Sequence, residues 1–234
     1  MNPSKSELLW CATLRRRHYI IKKCFTLPDG DVQPVGSVRN LGAFFDSDMS
    51  MKTHVNRLVS SCYYQLRRIP SIRRSIPTTM AITLMNSFIL NRVDYCNSLL
   101  VSLPAYQTDR IQIVLNDAAR LIFGGSRSDH VTPILRQRLH WLSATRRIEF
   151  KVALLMYKGI NNLSPDYITS YCISSSINQR RFTLRSADKG NLIEPKTVTE
   201  FRKRSLAFAG PHLWNKLPIN IRQSSSVDIF KKRP

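Results

Sequence analysis

The two carboxylates of Asp46-Ser47-Asp48 come nearest to a chemical site in this sequence. Carboxylates at this spacing could hold a divalent cation, because hard cations prefer oxygen ligands. The same tripeptide, however, precedes a helical pattern that begins at Met51. The first turn of a helix needs acceptors for its free N–H groups and favours negative charge. We therefore interpret the carboxylates as a helix cap, and a metal site is the alternative.

The sequence motifs of common enzyme classes are missing. There is no G-x-x-x-x-G-K-[ST], no G-x-G-x-x-G, no H-E-x-x-H and no Gly-x-Ser-x-Gly. No spacing that suggests shared metal ligation relates the histidines His18, His54, His130, His140 and His212. No nucleophile lies beside a base. We predict no catalytic residue, no metal, no cofactor and no small-molecule substrate.

A basic and aromatic helix face is the clearer indication of function. From Met51 onward apolar residues recur with a period of 3.6, at Val55, Leu58, Val59, Cys62, Leu66 and Ile69. This pattern places Arg57, Tyr64 and Arg68 together on the opposite side. A tyrosine flanked by arginines can stack on a base while the guanidinium groups hold phosphates, although a solvated polar face has the same pattern. The predicted nucleic-acid-binding residues are Lys52, Arg57, Tyr64, Arg67, Arg68, Arg73 and Arg74.

The charge of the chain agrees with a polyanionic partner. Its 234 residues include 36 Lys and Arg against 15 Asp and Glu, a net charge of +21, and such a field attracts nucleic acid. The cysteines are odd in number and contain no C-x-x-C, which favours a reducing compartment. Because the N-terminus has no apolar signal segment, we expect an intracellular protein, nuclear or cytoplasmic.

An almost uncharged stretch from Pro77 to Leu100 is predicted to be the central helix of the core. It has no charged residue before Arg92. Its expected buried stripe is Ala81, Met85, Phe88 and Ile89. We expect other helices to surround it, and the stripe to pack against a later helix that carries Ile111, Leu115 and Ala118. The run is too short and too polar to be a membrane span.

The regions on either side of the helices carry strand and turn signals. Val38 to Asp46 is predicted as one strand, with a close backbone approach at Gly42, and residues 1 to 48 resemble the edge of a sheet whose other strands are absent. The stretch from Phe182 to Ile193 is predicted as a hairpin. Thr132, Ser143 and Ser226 are predicted helix N-caps. Both ends of the chain are expected to be cut from something longer.

Several separated motifs occur together in order along the chain. They are Asn2-Pro3-Ser4-Lys5-Ser6-Glu7, Val38-Arg39-Asn40-Leu41-Gly42 with Asp46, Ser87-Phe88-Ile89 with Arg92-Val93-Asp94-Tyr95-Cys96-Asn97, Leu139-His140-Trp141-Leu142 and Leu213-Trp214-Asn215-Lys216-Leu217-Pro218. This series resembles the C-terminal part of the reverse transcriptase of non-LTR retrotransposons, in the group of jockey- and CR1-like elements. The resemblance covers essentially the whole chain.

The resemblance implies a place for each motif. The first would follow the catalytic strand of the palm, with Lys5 in the position of a lysine that assists departure of pyrophosphate. Leu41-Gly42 would lie near the primer-gripping hairpin, and the helices after Met51 would form the thumb and its extension. The implied ligand is RNA or an RNA–DNA hybrid. The remaining polymerase portion, with the metal-binding aspartates, would belong to the parent protein, because this chain contains no Asp-Asp pair.

We therefore expect a mainly α protein with small β segments. Its predicted parts are a palm edge at 1–48, a thumb-like helical bundle at 49–171 and a C-terminal extension with a hairpin and short helices at 172–234. The predicted function is non-specific RNA or DNA binding by a polymerase fragment without catalytic activity. The alternatives are a recruited module that binds a host protein or RNA, and a gene remnant without function.

Overall fold

The computed structural model describes residues 6–12, 18–19, 24–28, 30–126, 128–175 and 190–232. It is about 58% helical and, in the described part, contains two small sheets of two strands each. The predicted fold class, mainly α with small β segments, is therefore confirmed.

The chain divides into two compact units. Unit 1 consists of Met1–Val93 and Ala105–His140, and unit 2 of Asp94–Pro104 and Trp141–Pro234. Each unit thus draws on two separate stretches of chain. The predicted three-part division at 48 and 171 stays a prediction.

The strands of unit 1 form two antiparallel hairpins. The first pairs β1 (Phe25–Leu27) with β2 (Gly30–Val32), and the second pairs β3 (Ser37–Asn40) with β4 (Ala43–Asp46). The prediction of one continuous strand from Val38 to Asp46 is wrong, because Leu41 and Gly42 both have positive φ, 46° and 84°. A two-residue turn of this kind matches the twist of paired strands. Gly42 therefore serves this turn, and the predicted close backbone approach at Gly42 stays a prediction.

The helices of unit 1 follow these hairpins. They are α1 (Lys52–Arg68), α2 (Pro70–Arg73), α3 (Thr78–Met85), a π-helical segment (Asn86–Leu90), α4 (Asn91–Asp94, whose last residue belongs to unit 2), α5 (Ala105–Phe123) and a second π-helical segment (Ile134–Arg138). The core forms where α1 and α3 pack against α5. Gly124, with φ of 69°, ends α5 in the left-handed conformation typical of helix C-termini.

The central helix is only partly as predicted. Ala81, Met85 and Ile89 are fully buried and α3 packs against α5, as expected. Phe88 is 38% exposed, so its predicted burial is wrong. The π-helical turn explains this difference, because one extra residue in the turn shifts the helical phase. The buried stripe then continues through Leu90 and Val93 instead of Phe88.

Two further expectations for this stretch are also wrong. Other helices do not surround it, because several residues on its outer side, among them Thr79, Met80 and Ser87, are exposed. It does not run to Leu100 either, since α4 ends at Asp94 and Cys96 has a left-handed φ of 53°. Asp94 instead pairs with Arg147 of unit 2, Oδ2 to Nη1 at 2.7 Å. This ion pair and the turn at Cys96 redirect the chain.

Unit 2 is built around one long helix. Its elements are a 3-10 turn (Asn97–Leu100), α6 (Ala144–Ile160), α7 (Asp166–Thr169), α8 (Glu200–Lys203), α9 (Leu206–Lys216), α10 (Ile219–Arg222) and α11 (Val227–Lys231). The side chain of Ser143 caps α6, and that of Ser226 caps α11, as predicted. The prediction of Thr132 as a third cap is wrong, because Thr132 is already helical and the preceding Val131 O accepts the first helical hydrogen bond, from Leu135 N at 3.0 Å.

The motif Leu213 to Pro218 has a structural role in unit 2. The Asn215 amide accepts a hydrogen bond from Leu192 N at 2.8 Å and donates one to Leu192 O at 2.9 Å. Trp214 is buried, and its Nε1 donates to Gly190 O at 3.0 Å. These bonds fasten the strand-like segment around Leu192 to α9. Most of the predicted hairpin, residues 182–189, lies outside the described residues.

Candidate nucleic-acid interface

The start of α1 is set by the carboxylates that precede it. Asp46 Oδ2 accepts hydrogen bonds from Thr53 N at 3.1 Å and Ser50 Oγ at 3.2 Å. Asp48 Oδ1 accepts one from Ser50 N at 2.9 Å. The bond from Thr53 N satisfies an N–H group of the first helical turn, which supports the interpretation of Asp46 as a cap, whereas the bonds of Ser50 lie just before the helix. In the described part no three potential metal-ligating side chains come together.

The apolar side of α1 orients the helix. Val55, Leu58, Cys62 and Leu66 are buried, and α1 packs against α5 and β4. The opposite side, which we call the α1 outer face, carries the exposed residues Lys52, Arg57, Tyr64, Arg67 and Arg68. The structure thus places five of the seven predicted site residues on one exposed side of one helix.

No ion pair neutralises the α1 outer face within the part of the chain that the structure describes. The ion pairs found there involve other cations: Arg120, Arg146, Arg147, Lys203, His212 and Lys231. Lys52, Arg57, Arg67 and Arg68 therefore present positive charge that is not compensated by any carboxylate of the described residues within ion-pair distance. Uncompensated cations in a row attract polyanions.

Arg57 lies on an aromatic ring of the second hairpin. Its guanidinium carbon is 4.3 Å from the centre of the Phe44 ring, and that of Arg39 is 5.9 Å from the same centre. Arg39 and Phe44 are cross-strand partners. A guanidinium that stacks on a ring keeps the N–H groups at its edge available for hydrogen bonds.

The guanidinium of Arg68, the last residue of α1, lies on the ring of Tyr64, one turn earlier in the same helix. The guanidinium carbon of Arg68 is 5.4 Å from the Tyr64 ring centre, and its Nη1 donates to Tyr64 Oη at 3.2 Å. Tyr64 is 55% exposed. The ring therefore orients Arg68, and base stacking on Tyr64 stays a prediction.

The remaining cations predicted for the site differ from one another. Arg67 Nε donates to the Tyr63 carbonyl at 3.3 Å, and Arg74 is exposed beyond α2. Arg73 is engaged in the fold, because its Nε donates to Ile122 O at 3.1 Å and its Nη1 to Ile76 O at 3.1 Å. Ile122 belongs to the last turn of α5, whose carbonyls lack helical partners. Arg73 thus caps α5, and we remove it from the set that is free to meet a ligand.

Sequence reasoning missed cations that reach the α1 outer face from other helices. Arg92 of α4 donates from Nη1 to Ser61 Oγ, and Arg110 of α5 donates from Nη1 to Asn56 Oδ1 at 2.6 Å. Ser61 and Asn56 are both residues of α1. The only sequence signal was that Ser61 follows Arg57 by four residues, which cannot reveal a contact from a distant helix.

Two titratable groups lie beneath this face, on the core side of α1. Burial lowers the pKa of His54, against the opposing effect of Asp46, and His54 Nδ1 accepts a hydrogen bond from Phe44 N at 3.4 Å. Burial raises the pKa of Cys62 to about 11, against the opposing effect of Arg92. The thiol is therefore protonated at neutral pH and unreactive. His54 holds the hairpin to α1 in its neutral form.

Comparisons of the chain with protein-family models, with curated proteins and with solved structures find no match. The resemblance to reverse transcriptases therefore stays a prediction based on the motifs. Among the described residues, no helix is both long and apolar enough to cross a membrane.

Proposed function

We propose that this chain binds the phosphate backbone of RNA, or of an RNA–DNA hybrid, through the α1 outer face. The carrying observation is that its cations Lys52, Arg57, Arg67 and Arg68 are exposed on one side of a helix and form no ion pair with a carboxylate of the described residues. The net charge of +21 adds a favourable long-range field.

The ligand is held without reading its sequence. Arg57 and Arg68 lie on the rings of Phe44 and Tyr64, so charged fork-shaped donors are presented. Contacts of this type go to phosphates and sugars and carry no base information. The chain therefore discriminates poorly between sequences.

The proposed origin is the C-terminal part of a non-LTR retrotransposon reverse transcriptase. The support is the ordered series of motifs, and it is independent of the electrostatic argument. Polymerisation requires two metal ions held by paired carboxylates, and the sequence given has no Asp-Asp pair. The chain accordingly has no polymerase activity of its own, and it acts inside the cell, where nucleic acid is present.

A salt titration tests the binding proposal. A fluorescein-labelled RNA–DNA hybrid is titrated with purified protein between about 50 and 200 mM salt, with a scrambled hybrid as control. We expect equal affinity for both, and a logarithmic slope that reflects several phosphate contacts at roughly 0.7 to 0.9 per contact. Absence of salt-dependent binding contradicts the proposal and favours the alternative of a protein-interaction module.

Catalytic silence is tested separately. The protein is given primer, template, Mg²⁺ and nucleotides, and extension products are resolved on a gel. We expect no extension. Template-dependent extension that copurifies with the chain contradicts this part of the proposal and leaves the binding proposal intact.

A further inference from the structure

Four residues of α1 form a regularly spaced stripe in which one position has neither a charge nor an aromatic ring. Arg57, Ser61, Tyr64 and Arg68 follow one another at intervals of four, three and four residues, which places them along one side of a helix. The stripe is about 16 Å long at 1.5 Å per residue. Arg57 and Arg68 carry charge at its ends, and Ser61 has neither a charge nor a ring.

A positive charge beside Ser61 is supplied by another helix. Arg92 of α4 is exposed, and its Nη1 donates to Ser61 Oγ. The π-helical segment Asn86–Leu90, which ends just before α4, packs against α1 and brings this arginine alongside. The guanidinium of Arg92 therefore lies at the level of Ser61, about 6 Å along the helix from Arg57.

The chemistry of this contact leaves Arg92 able to bind an anion. Ser61 Oγ is a neutral acceptor, and a guanidinium has five N–H donors, so one hydrogen bond uses a small part of its capacity. None of the ion pairs found in the described part of the chain includes Arg92. Its charge is therefore as uncompensated as that of its neighbours in the stripe.

We infer that Arg92 is a further phosphate-binding residue, that it lies between Arg57 and Arg68, and that Ser61 is its positioning residue. This inference rests on the proposed function of the α1 outer face. The ligand chemistry is a phosphodiester chain that contacts a row of three guanidinium groups from two helices. The competing explanation is that Arg92 only ties α4 to α1.

The test separates charge from the structural tie. Binding of the labelled RNA–DNA hybrid is measured for Arg92→Gln, Arg92→Lys, Ser61→Ala and Ser61→Thr, with Arg57→Gln as a test of the proposed function itself. We expect Arg92→Gln to weaken binding about tenfold, as loss of one charge-assisted contact does. The salt slope should fall by roughly 0.7 to 0.9. Arg92→Lys should keep the slope.

Ser61 tests the positioning role. Ser61→Ala should weaken binding less than Arg92→Gln does, and Ser61→Thr, which retains the hydroxyl, should restore wild-type affinity. Thermal unfolding followed by circular dichroism establishes that each variant is folded at the assay temperature. If Arg92→Gln is unfolded, Arg92→Lys and Ser61→Ala decide the matter.

Failure of the Arg92 inference and failure of the proposed function give different results. If Arg92→Gln keeps affinity and slope while Arg57→Gln loses both, the inference is overturned and the proposed function survives. If neither variant changes binding, both are overturned. A loss of stability in Arg92→Gln with an unchanged slope identifies Arg92 as a tie between helices and also overturns the inference. Wild-type affinity in Ser61→Ala overturns the positioning role.

Discussion

The two units contain basic residues in different electrostatic settings. In unit 2, Arg146, Lys203 and Lys231 each pair with a carboxylate three residues away on the same helix. Arg147 pairs with Asp94, with N and O 2.7 Å apart. On the α1 outer face of unit 1, by contrast, Arg57 and Arg68 lie on aromatic rings and Arg67 donates to a neutral oxygen.

This difference shows that net charge alone does not locate a binding surface. The net charge of +21 belongs to the whole chain, in which the cations Arg120, Arg146, Arg147, Lys203 and Lys231 form ion pairs with carboxylates. Compensated surface pairs contribute little to a long-range field or to stability. We therefore propose the cations of the α1 outer face, and not the total charge, as the binding surface for a polyanion.

The largest effect on stability is expected for a substitution in the core of unit 2. Trp214 is 2% exposed and packs in the core that includes Tyr157 and Phe230. We expect Trp214→Ala to lower the free energy of unfolding by about 3 to 5 kcal/mol, as measured by urea denaturation. Tyr167→Ala, at an exposed position, is the control and should change it by less than about 0.5 kcal/mol.

The same variant also tests the comparison. In buffer without urea, at a temperature where Trp214→Ala remains folded, its salt slope for the RNA–DNA hybrid should equal that of the wild type. A flatter slope would assign phosphate contacts to unit 2 and would remove the contrast between the units.

A neighbouring pair of arginines gives a matched test within unit 1. Arg73 caps the carbonyls of α5, whereas Arg74 is exposed. We expect Arg73→Ala to lower the free energy of unfolding by about 1 to 3 kcal/mol, because buried carbonyls lose their donors. Its salt slope should not change. Arg74→Ala should leave the free energy of unfolding unaltered and flatten the salt slope. A flatter slope in Arg73→Ala, together with a loss of stability in Arg74→Ala, would contradict these two roles.

The parts of the fold that sequence predicted are those set by local rules. The period of 3.6 identified α1, and the serines at 143 and 226 marked helix starts. Phe88 was misplaced because a π-helical turn breaks the period, and no residue type announces such a turn. The division of the chain at Asp94 depends on a partner, Arg147, that is distant in sequence.

The candidate site divides in the same way. Arg57, Tyr64 and Arg68 were predictable, because their common face follows from helix geometry alone. The contacts of Phe44 with Arg57 and of Arg92 with Ser61 arise only when separate elements pack together. Arg73 has the same residue type as Arg74 next to it, and only the position of the α5 C-terminus distinguishes their roles.

A smaller effect concerns the junction between the hairpin and α1. Burial lowers the pKa of His54 below its ordinary value of 6.5, against the opposing effect of Asp46. The unfolded chain therefore takes up a proton more readily, so the stability that the neutral ring provides is complete above pH 6.5 and is lost as pH falls through the lowered pKa. The slope of this loss is at most about 1.4 kcal/mol per pH unit.

The measurement is urea denaturation of wild type and His54→Asn between about pH 7 and pH 5. The asparagine oxygen can accept the hydrogen bond from Phe44 N and does not titrate. We expect the wild type to lose more stability than the variant over this range. Equal losses would show that other groups, and not His54, govern the acid sensitivity of unit 1.

We propose that the uncompensated cations on α1, and not the total charge, bind the phosphate backbone. Two variants that each remove three positive charges distinguish these possibilities: Arg57, Arg67 and Arg68 to alanine, and Arg146, Lys203 and Lys231 to alanine. Affinity for the RNA–DNA hybrid is measured across a salt series for both. We expect the α1 variant to lose affinity and its slope to flatten by roughly 2 to 3, while the unit 2 variant keeps the wild-type slope. Equal losses in both variants, or a loss confined to the unit 2 variant, would contradict it.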